Sequence, residues 1–365
     1  MKKIFVKCGL NHNLGDDLFL YIIAKRYEHQ AGITCITHSR DYRDERNVHF
    51  FYCPNLLYRL ANKIAGVLKH GNVFDKYFIK RSNIYLILGG SIFMENVFTS
   101  NYLKVMYYFK KNRVILGSNI GPYYNDAYLE LIKCIFRNSK DVCLRDKKSY
   151  QLVKDVKTVR QAPDMIFALD IKKYKNTKQK RVIFSIINYE KKSKQFNSVF
   201  ENSIYYENIV TLVQKYSKKY EIAFMSFCEN EGDIEAIDII KTMLPKKICE
   251  KVIVYNYNGN IEEALNFLAN SEIIVGSRFH ANILGFLLEK KVVPVIYNDK
   301  TRNLLKDINF QNCYIDLNDN KKVELEELDK VYKYPDLNKY IEKAEQHFNV
   351  LDMMVCERSE HFDRN

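Results

Sequence analysis

Arg278 and His280 stand two residues apart in S-E-I-I-V-G-S-R-F-H-A-N-I-L-G-F-L-L, residues 271–288. One is a permanently charged guanidinium fork, the other an imidazole that titrates near neutral pH. Glu272–Gly276 is a short β-branched run closed by glycine, and Ala281–Leu288 is apolar and long enough to continue as a buried helix. The segment therefore reads as strand, tight turn and helix, with Arg278 and His280 at the first helical turn. There the N–H groups lack intrahelical partners and the helix dipole favours negative charge, so the turn can hold an anion with a proton-transfer group beside it. The plainer alternative pairs Arg278 with a nearby carboxylate and buries His280 in a core. Gly-Ser-Arg-Phe-His directly after a strand is a denser cluster than packing requires, which favours the functional reading.

Further candidate groups fall in other short polar stretches that follow apolar runs: Asn13 to Asp17, Gly89-Gly90-Ser91, Ser118 to Pro122 with Asn119, Arg145-Asp146, Pro163-Asp164 and Asn298-Asp299-Lys300. Glycine lets the backbone approach a ligand, while carboxylates, Arg, His and Lys can orient and protonate it. Each stretch alone is mostly turn chemistry, but their shared place after strands gathers charged groups at one sheet edge. Asp16 and Asp17 open a helix, so one of them is expected as its cap. Asp146 is expected to neutralise Arg145 locally, and Lys300 either reaches the same anion as the Ser277 turn or stays exposed to solvent.

The elements that must carry these loops alternate. Strand-like runs at Lys3–Cys8, Ile33–His38, Ile84–Leu88, Val114–Asn119 and Val142–Leu144 are interleaved with helical stretches at Leu18–Tyr27, Leu56–Leu68, Tyr102–Phe109 and Ala127–Phe136. After a Lys-rich span the alternation resumes, with strands at Arg181–Ile187, Ile222–Cys228, Val252–Tyr255 and Val292–Ile296. Helices are expected there at Tyr205–Tyr216, Ile234–Met243, Ile261–Leu268 and Arg302–Ile308, and residues 336–351 form a last amphipathic helix. The pattern predicts an α/β chain of two Rossmann-like doubly wound domains facing a cleft. Residues 1–170 make the first, 171–180 a linker and 181–335 the second, while 336–365 carry a helix that crosses back to the first. Ligands of such sheets bind outside the carboxyl ends of the strands.

At 365 residues the chain exceeds the size of one core. A net charge of +13, from 57 Lys and Arg against 44 Asp and Glu, admits a nucleic acid, an anionic membrane surface or a negatively charged substrate. The basic residues are spread along the chain without a nucleic-acid motif, which argues against nucleic acid and leaves a solvated basic surface with weak attraction to anionic lipid headgroups. Nine cysteines without C-x-x-C or zinc-like spacing read as reduced thiols. No apolar stretch reaches ~18 residues, and the N-terminus turns polar too early for a signal peptide. The expected location is the cytoplasm, with any peripheral attachment at the inner face of the membrane.

Taken together, N-L-G-D-D (13–17), G-G-S (89–91), G-S-N-I-G-P (117–122), R-D-K-K-S (145–149), A-P-D (162–164), S-R-F-H-A (277–281) and V-P-V-I-Y-N-D-K (293–300) occur in the order found in polysaccharide pyruvyl transferases. The chain resembles that family over roughly residues 4–310. The resemblance implies a fold similar to the GT-B glycosyltransferases. It also implies transfer of the enolpyruvyl carbons of phosphoenolpyruvate to two hydroxyls of one sugar, in a cell-surface or exopolysaccharide glycan or its lipid-linked precursor, giving a cyclic ketal and phosphate. By that likeness Arg278 and Arg145 bind the donor's phosphate and carboxylate, with Lys300, Ser277 and Gly276 beside them. His280 is the general acid or base, and Asp16 faces the acceptor hydroxyls. Asn13, Asp17, Gly89, Gly90, Ser91, Asn119 and Asp164 line the acceptor side or the cleft.

The residue types suit that chemistry on their own terms. A donor with several negative charges on three carbons calls for forked, permanent cations. Its vinyl carbon must gain a proton and a sugar hydroxyl must lose one, and an imidazole with a reference pKa of ~6.5 can do either. Carbon–oxygen cleavage releases phosphate without phosphoryl transfer, and the sequence shows no carboxylate–histidine metal cluster, so neither a metal nor a cofactor is expected beside the co-substrate. Two other classes stay open. A nucleotide-sugar-dependent glycosyltransferase of the same architecture usually has an acidic residue early in the helix after this turn, where this chain has His280, Ala281 and Asn282. The other is a non-catalytic protein that binds an anionic ligand or glycan.

Overall fold

The computed structural model describes residues 1–67, 72–95, 103, 105–109, 112–174, 179–196, 202–319 and 324–357. Part of the expected helix Tyr102–Phe109 lies outside them, as do residues 175–178 of the expected linker. The chain forms two compact units. The first holds Met1–Leu10, Leu18–Ala168 and Tyr340–Asn365, and the second Asn11–Asp17 and Leu169–Lys339.

In the first unit seven parallel strands run β1 (Lys2–Lys7), β2 (Ala31–Thr37), β3 (Val48–Tyr52), β4 (Ile84–Leu88), β5 (Arg113–Ser118), β6 (Asp141–Leu144) and β7 (Val159–Gln161). Their order in the sheet is β3-β2-β1-β4-β5-β6-β7, so the winding direction reverses between β1 and β4. Such a reversal opens a crevice at the carboxyl ends of the two strands. β4, I-Y-L-I-L, is buried at every position, as the unbroken apolar run of a central parallel strand requires. The core on one side of the sheet gathers Phe5, Tyr85, Ile87, Phe93, Ile115, Phe136 and Leu144.

The last segment of the chain belongs to this unit. It forms two helices, Asn338–Glu345 and Asn349–Cys356, joined by a tight turn at Gln346–Phe348, where the amphipathic pattern predicts one helix over 336–351. The turn directs His347 and Phe348 into the core and lets the carbonyls of Gln346 and His347 accept from Arg160. His347 donates from Nε2 to the Pro163 carbonyl at 2.7 Å. Arg26 forms a bidentate pair with Asp352 and also reaches Glu345 at 2.8 Å.

The second unit holds six parallel strands, β8 (Arg181–Ser185), β9 (Glu221–Ser226), β10 (Ile253–Asn256), β11 (Ile273–Gly276), β12 (Lys291–Ile296) and β13 (Ile315–Asp316). Their order, β10-β9-β8-β11-β12-β13, again reverses after the first strand, here between β8 and β11. Helices Asn202–Tyr216, Asp233–Met243, Ile261–Ala269, Phe279–Leu287 and Asp299–Asp307 connect the strands. The Phe279–Leu287 helix is buried at every position from Ala281 to Leu287, in keeping with a sequence that is apolar all round. Both units are thus parallel-sheet α/β domains, as the alternation predicts. The short strands β3, β7 and β13 and the helices Val73–Arg81 and Tyr189–Phe196 are additional to the sequence reading. Within the expected linker, Ile171 and Tyr174 are buried, and the Tyr174 hydroxyl donates to Glu262 of the same unit. Among the described residues no helix is long and apolar enough to cross a membrane.

Candidate functional site

The strand–turn–helix expected around residue 277 is present, with β11 ending at Gly276 and Arg278 as the N-cap residue of the helix Phe279–Leu287. The turn is clamped to β8 across the reversal point. Ser277 N donates to the Ser185 carbonyl at 3.2 Å, and Arg278 N to the Ser185 hydroxyl at 3.0 Å. Asn282, fully buried one turn into the helix, donates its amide to the carbonyls of Gly276 at 3.0 Å and Arg278 at 3.2 Å. A Cβ at residue 276 would lie 2.1 Å from the Asn282 oxygen, so this clamp needs glycine there. The Ser277 hydroxyl sits 3.0 Å from that of Tyr205, which accepts from Ile187 N at 3.1 Å. Gly276 and Ser277 are therefore buried parts of the turn's framework.

Arg278, 7% exposed, takes the plainer of the two arrangements open to it from sequence, pairing with carboxylates. Its Nε meets Asp233 Oδ2 at 3.1 Å, Nη2 meets Asp233 Oδ1, and Nη1 meets Glu231. Asp233 is fully buried at the start of the Asp233–Met243 helix and also accepts from the N–H groups of Phe227 and Cys228 at 3.0 Å each. Lys192 reaches Glu231 at 2.6 Å. Burial alone would lower the Arg278 pKa, but Asp233 and Glu231 carry it well above the ordinary guanidinium value. Burial likewise opposes ionisation of Glu231, yet Arg278 and Lys192 hold its carboxyl down at about 2. Two cations and two anions balance, so Arg278 is a rigid, oriented N–H donor instead of an isolated positive charge. Neither Glu231 nor Asp233 was a sequence candidate, because nothing in local spacing ties them to a residue some 45 positions on.

His280 lies in the first turn of its helix, half-buried, with its ring laid on the backbone of Gly15. A Cβ at residue 15 would be 1.7 Å from His280 Nδ1, so only glycine admits the ring in this place. The segment Asn11–Asp17 folds with this unit through Leu14 N, which donates to the Phe227 carbonyl at 3.0 Å, and through the Asn11 carbonyl, which accepts from Asn230 at 3.1 Å. N-L-G-D-D is the start of a helix, Leu14–Arg26, not a free loop. Its cap is Asn13, whose side chain accepts from Gly15 N at 3.1 Å, and not Asp16 or Asp17 as expected. Both aspartates lie in the first turn, Asp16 half-buried and Asp17 buried with its carboxylate accepting from the Tyr257 hydroxyl at 2.8 Å.

Lys300 opens the helix Asp299–Asp307 after β12, the strand beside β11. Asn298 caps that helix, accepting from the N–H groups of Lys300 at 3.1 Å and Thr301 at 3.3 Å. Tyr297 precedes it, and burial pushes its phenol up to about 12.

The first unit gathers the other candidates into a second cluster. Arg145, 9% exposed after β6, donates to Asp164 at 3.0 Å and to Asn119 at 2.8 Å. Ser91 donates to the same Asn119 oxygen at 3.2 Å, and Asp164 also accepts from Ile166 N at 3.0 Å. Gly90 passes over the guanidinium so closely that a Cβ would lie 3.1 Å from both Nη atoms, while the Gly89 carbonyl accepts from Ser118 at 2.8 Å. The expected local pair of Arg145 with Asp146 does not form. Asp146 instead caps the helix Lys147–Val153 by accepting from Ser149 N at 2.8 Å and from its hydroxyl at 2.7 Å. That hydroxyl accepts from Ile120 N at 2.8 Å, so R-D-K-K-S ties the helix to the turn after β5.

Comparison with known proteins adds the following. A sequence profile described as polysaccharide pyruvyl transferase matches residues 13–300. No protein of curated function matches the chain in sequence. Among solved structures, UDP-GlcNAc 2-epimerase from Neisseria meningitidis bound to UDP-GlcNAc is similar at 11% identity and a TM-score of 0.58, over 96% of this chain and 99% of that one. Anabaena Alr3699/HepE in complex with UDP and glucose is similar at 11% identity and a TM-score of 0.50, over 97% and 95%. Glycyrrhiza uralensis UGT73P12 is similar at 9% identity and a TM-score of 0.50, over 99% and 88%. At these identities the likeness is one of fold, that of GT-B glycosyltransferases and epimerases. The profile match is of another kind, because it covers most of the chain, from Asn13 of the N-L-G-D turn through S-R-F-H to Lys300. The chain belongs to the polysaccharide pyruvyl transferase family, and is a transferase of polysaccharide modification.

Proposed function

We propose that this transferase moves the enolpyruvyl group of phosphoenolpyruvate onto two hydroxyls of one sugar, in a cell-surface or exopolysaccharide glycan or its lipid-linked precursor, as a cyclic ketal. The observation that carries the reading is the contact of the His280 ring with the Gly15 backbone at a helix N-terminus, two residues on from an arginine whose guanidinium is fixed by Asp233 and Glu231.

The N-terminus of the Phe279–Leu287 helix, which no side chain of its N-cap residue covers, suits an anionic group of the donor, and Lys300 adds positive charge. Arg278, balanced by carboxylates, contributes direction more than charge. His280 gives a proton to the vinyl carbon, making C2 oxocarbenium-like, and one sugar hydroxyl attacks C2 as it loses its proton. Asp16 is the carboxylate of the adjoining turn that would face that hydroxyl. The C2–O bond to phosphate then breaks and the second hydroxyl closes the ring. Of the two hydroxyl protons lost, one equivalent ends in the new methyl group and one on phosphate. The scheme uses no resident cofactor, and phosphoenolpyruvate as co-substrate puts the reaction in the cytoplasm.

The test is incubation with phosphoenolpyruvate and acceptor glycan in D2O. One phosphate released per ketal formed, with one deuterium in each new methyl group, supports the scheme, and His280→Ala should abolish both. Transfer of a sugar from a nucleotide sugar, with phosphoenolpyruvate untouched, would replace this reading with the glycosyltransferase one.

A further inference from the structure

In the first unit, the helices Asn55–Val67 and Val73–Arg81 turn outward faces of the same composition. On the former, Leu56, Arg59, Leu60 and Lys63 follow one another at three- and four-residue spacing and so form one continuous stripe. Leu56, Leu57 and Leu60 are 71%, 53% and 49% exposed. On the latter, Val73 and Tyr77 are exposed, Lys80 and Arg81 continue the face, and the Arg81 guanidinium lies 3.8 Å from the centroid of the Tyr77 ring. The two helices lie together, with Val73 N donating to Asn62 Oδ1 at 3.2 Å and the rings of Tyr58 and Phe74 stacked at 5.8 Å. Their inner faces are satisfied: Phe78 stacks on Phe5 at 5.5 Å, and fully buried Asp75 holds Lys7 at 3.0 Å.

Asp75 is the one acidic residue in the sequence between Arg46 and Glu95. Since it is buried, the outward face has leucines, valine and tyrosine set among cations with no carboxylate of these helices to neutralise them. A helix covered only by water would show polar groups there. The charge decides what covers it. A second copy of the chain would bring the same cations against these, at a cost in like-charge repulsion, and protein interfaces are depleted in lysine. A layer of anionic headgroups over acyl chains satisfies both halves of the composition at once. We propose that this face is a docking surface for an anionic phospholipid bilayer, with Leu56, Leu57 and Leu60 entering the headgroup–acyl boundary and Arg59, Lys63, Lys80 and Arg81 meeting lipid phosphates. The proposal goes beyond the transfer chemistry and stands apart from it.

The test is co-sedimentation of the full chain with vesicles of phosphatidylcholine alone, or with about a third phosphatidylglycerol, at about 0.15 M salt. Binding to the anionic vesicles at least about tenfold tighter than to the neutral ones is expected. Leu56→Ser, Leu57→Ser and Leu60→Ser combined, and separately Arg59→Gln, Lys63→Gln and Lys80→Gln combined, should each weaken it about tenfold or more with the melting temperature unchanged. Equal binding to both vesicle types, wild-type binding by either variant, or a dimer in sedimentation velocity that the leucine variant dissolves, would each overturn the proposal.

Discussion

Gly15→Ala isolates the one contact on which the catalytic reading rests. The added methyl would sit 1.7 Å from His280 Nδ1, where ordinary contact begins near 3.4 Å, so ring and turn must separate by about 1.7 Å, the difference of the two. A misplacement of ~1 Å in a positioned catalytic group costs ~100-fold, equal to about 2.7 kcal/mol of barrier. The fold has no matching reason to weaken. Residue 15 lies in the first turn of the Leu14–Arg26 helix, and alanine is the better helix former by up to ~1 kcal/mol. The expected result is turnover at least about 100-fold below wild type, approaching that of His280→Ala, at a melting temperature within a few degrees of wild type. Phosphate release from phosphoenolpyruvate, with an acceptor that the wild type turns over, beside thermal melts, measures both. Gly90→Ala is the internal comparison: its methyl would lie 3.1 Å from the Arg145 Nη atoms, which need give only a few tenths of an ångström, so a loss under about tenfold is expected. Wild-type turnover in Gly15→Ala would refute the assignment of His280, since the ring would have been moved without consequence.

Two further predictions concern buried charge. Asp233→Asn removes one of the two counter-charges of a buried guanidinium and should cost about 3 kcal/mol or more in urea unfolding, whereas a loss below about 1 kcal/mol would mean that the pair is not part of what holds the second unit together. His347 is held neutral by burial, its pKa pushed down to about 4 from an unfolded value near 6.5. Between those values the unfolded chain binds a proton that the folded one does not, so stability present above pH ~6.5 should fall by about 3 kcal/mol as pH drops to ~4. His347→Gln should flatten that part of the profile, and an unchanged slope would assign the acid sensitivity elsewhere.

The parts of the site that sequence made legible are those in which function and local structure share a few consecutive residues. Gly276 to His280 read as strand, turn and helix because a β-branched run, a glycine and an apolar octet each carry their own signal, and β11 and its helix fall within two residues of the expected bounds. Asp233 escaped because the partner of a buried arginine is chosen by sheet order, here the loop after β9, and no periodicity reports that order. Asn282 reads as one more residue in an apolar helix until the two carbonyls it holds are seen. Asp16 and Asp17 compete with Asn13 for the cap because all three are equally good candidates by type, and only the backbone geometry selects between them. Single-turn features such as the break at Gln346–Phe348 leave no trace in an amphipathic pattern that continues through them.

The first unit is built from both ends of the chain, with the whole second unit encoded in between. During synthesis, Arg26 and Arg160 wait for Asp352, Glu345 and two late carbonyls that leave the ribosome only after the whole second unit has been made. The early half therefore stays unfinished, its two guanidinium groups without these partners, until the helices Asn338–Glu345 and Asn349–Cys356 arrive.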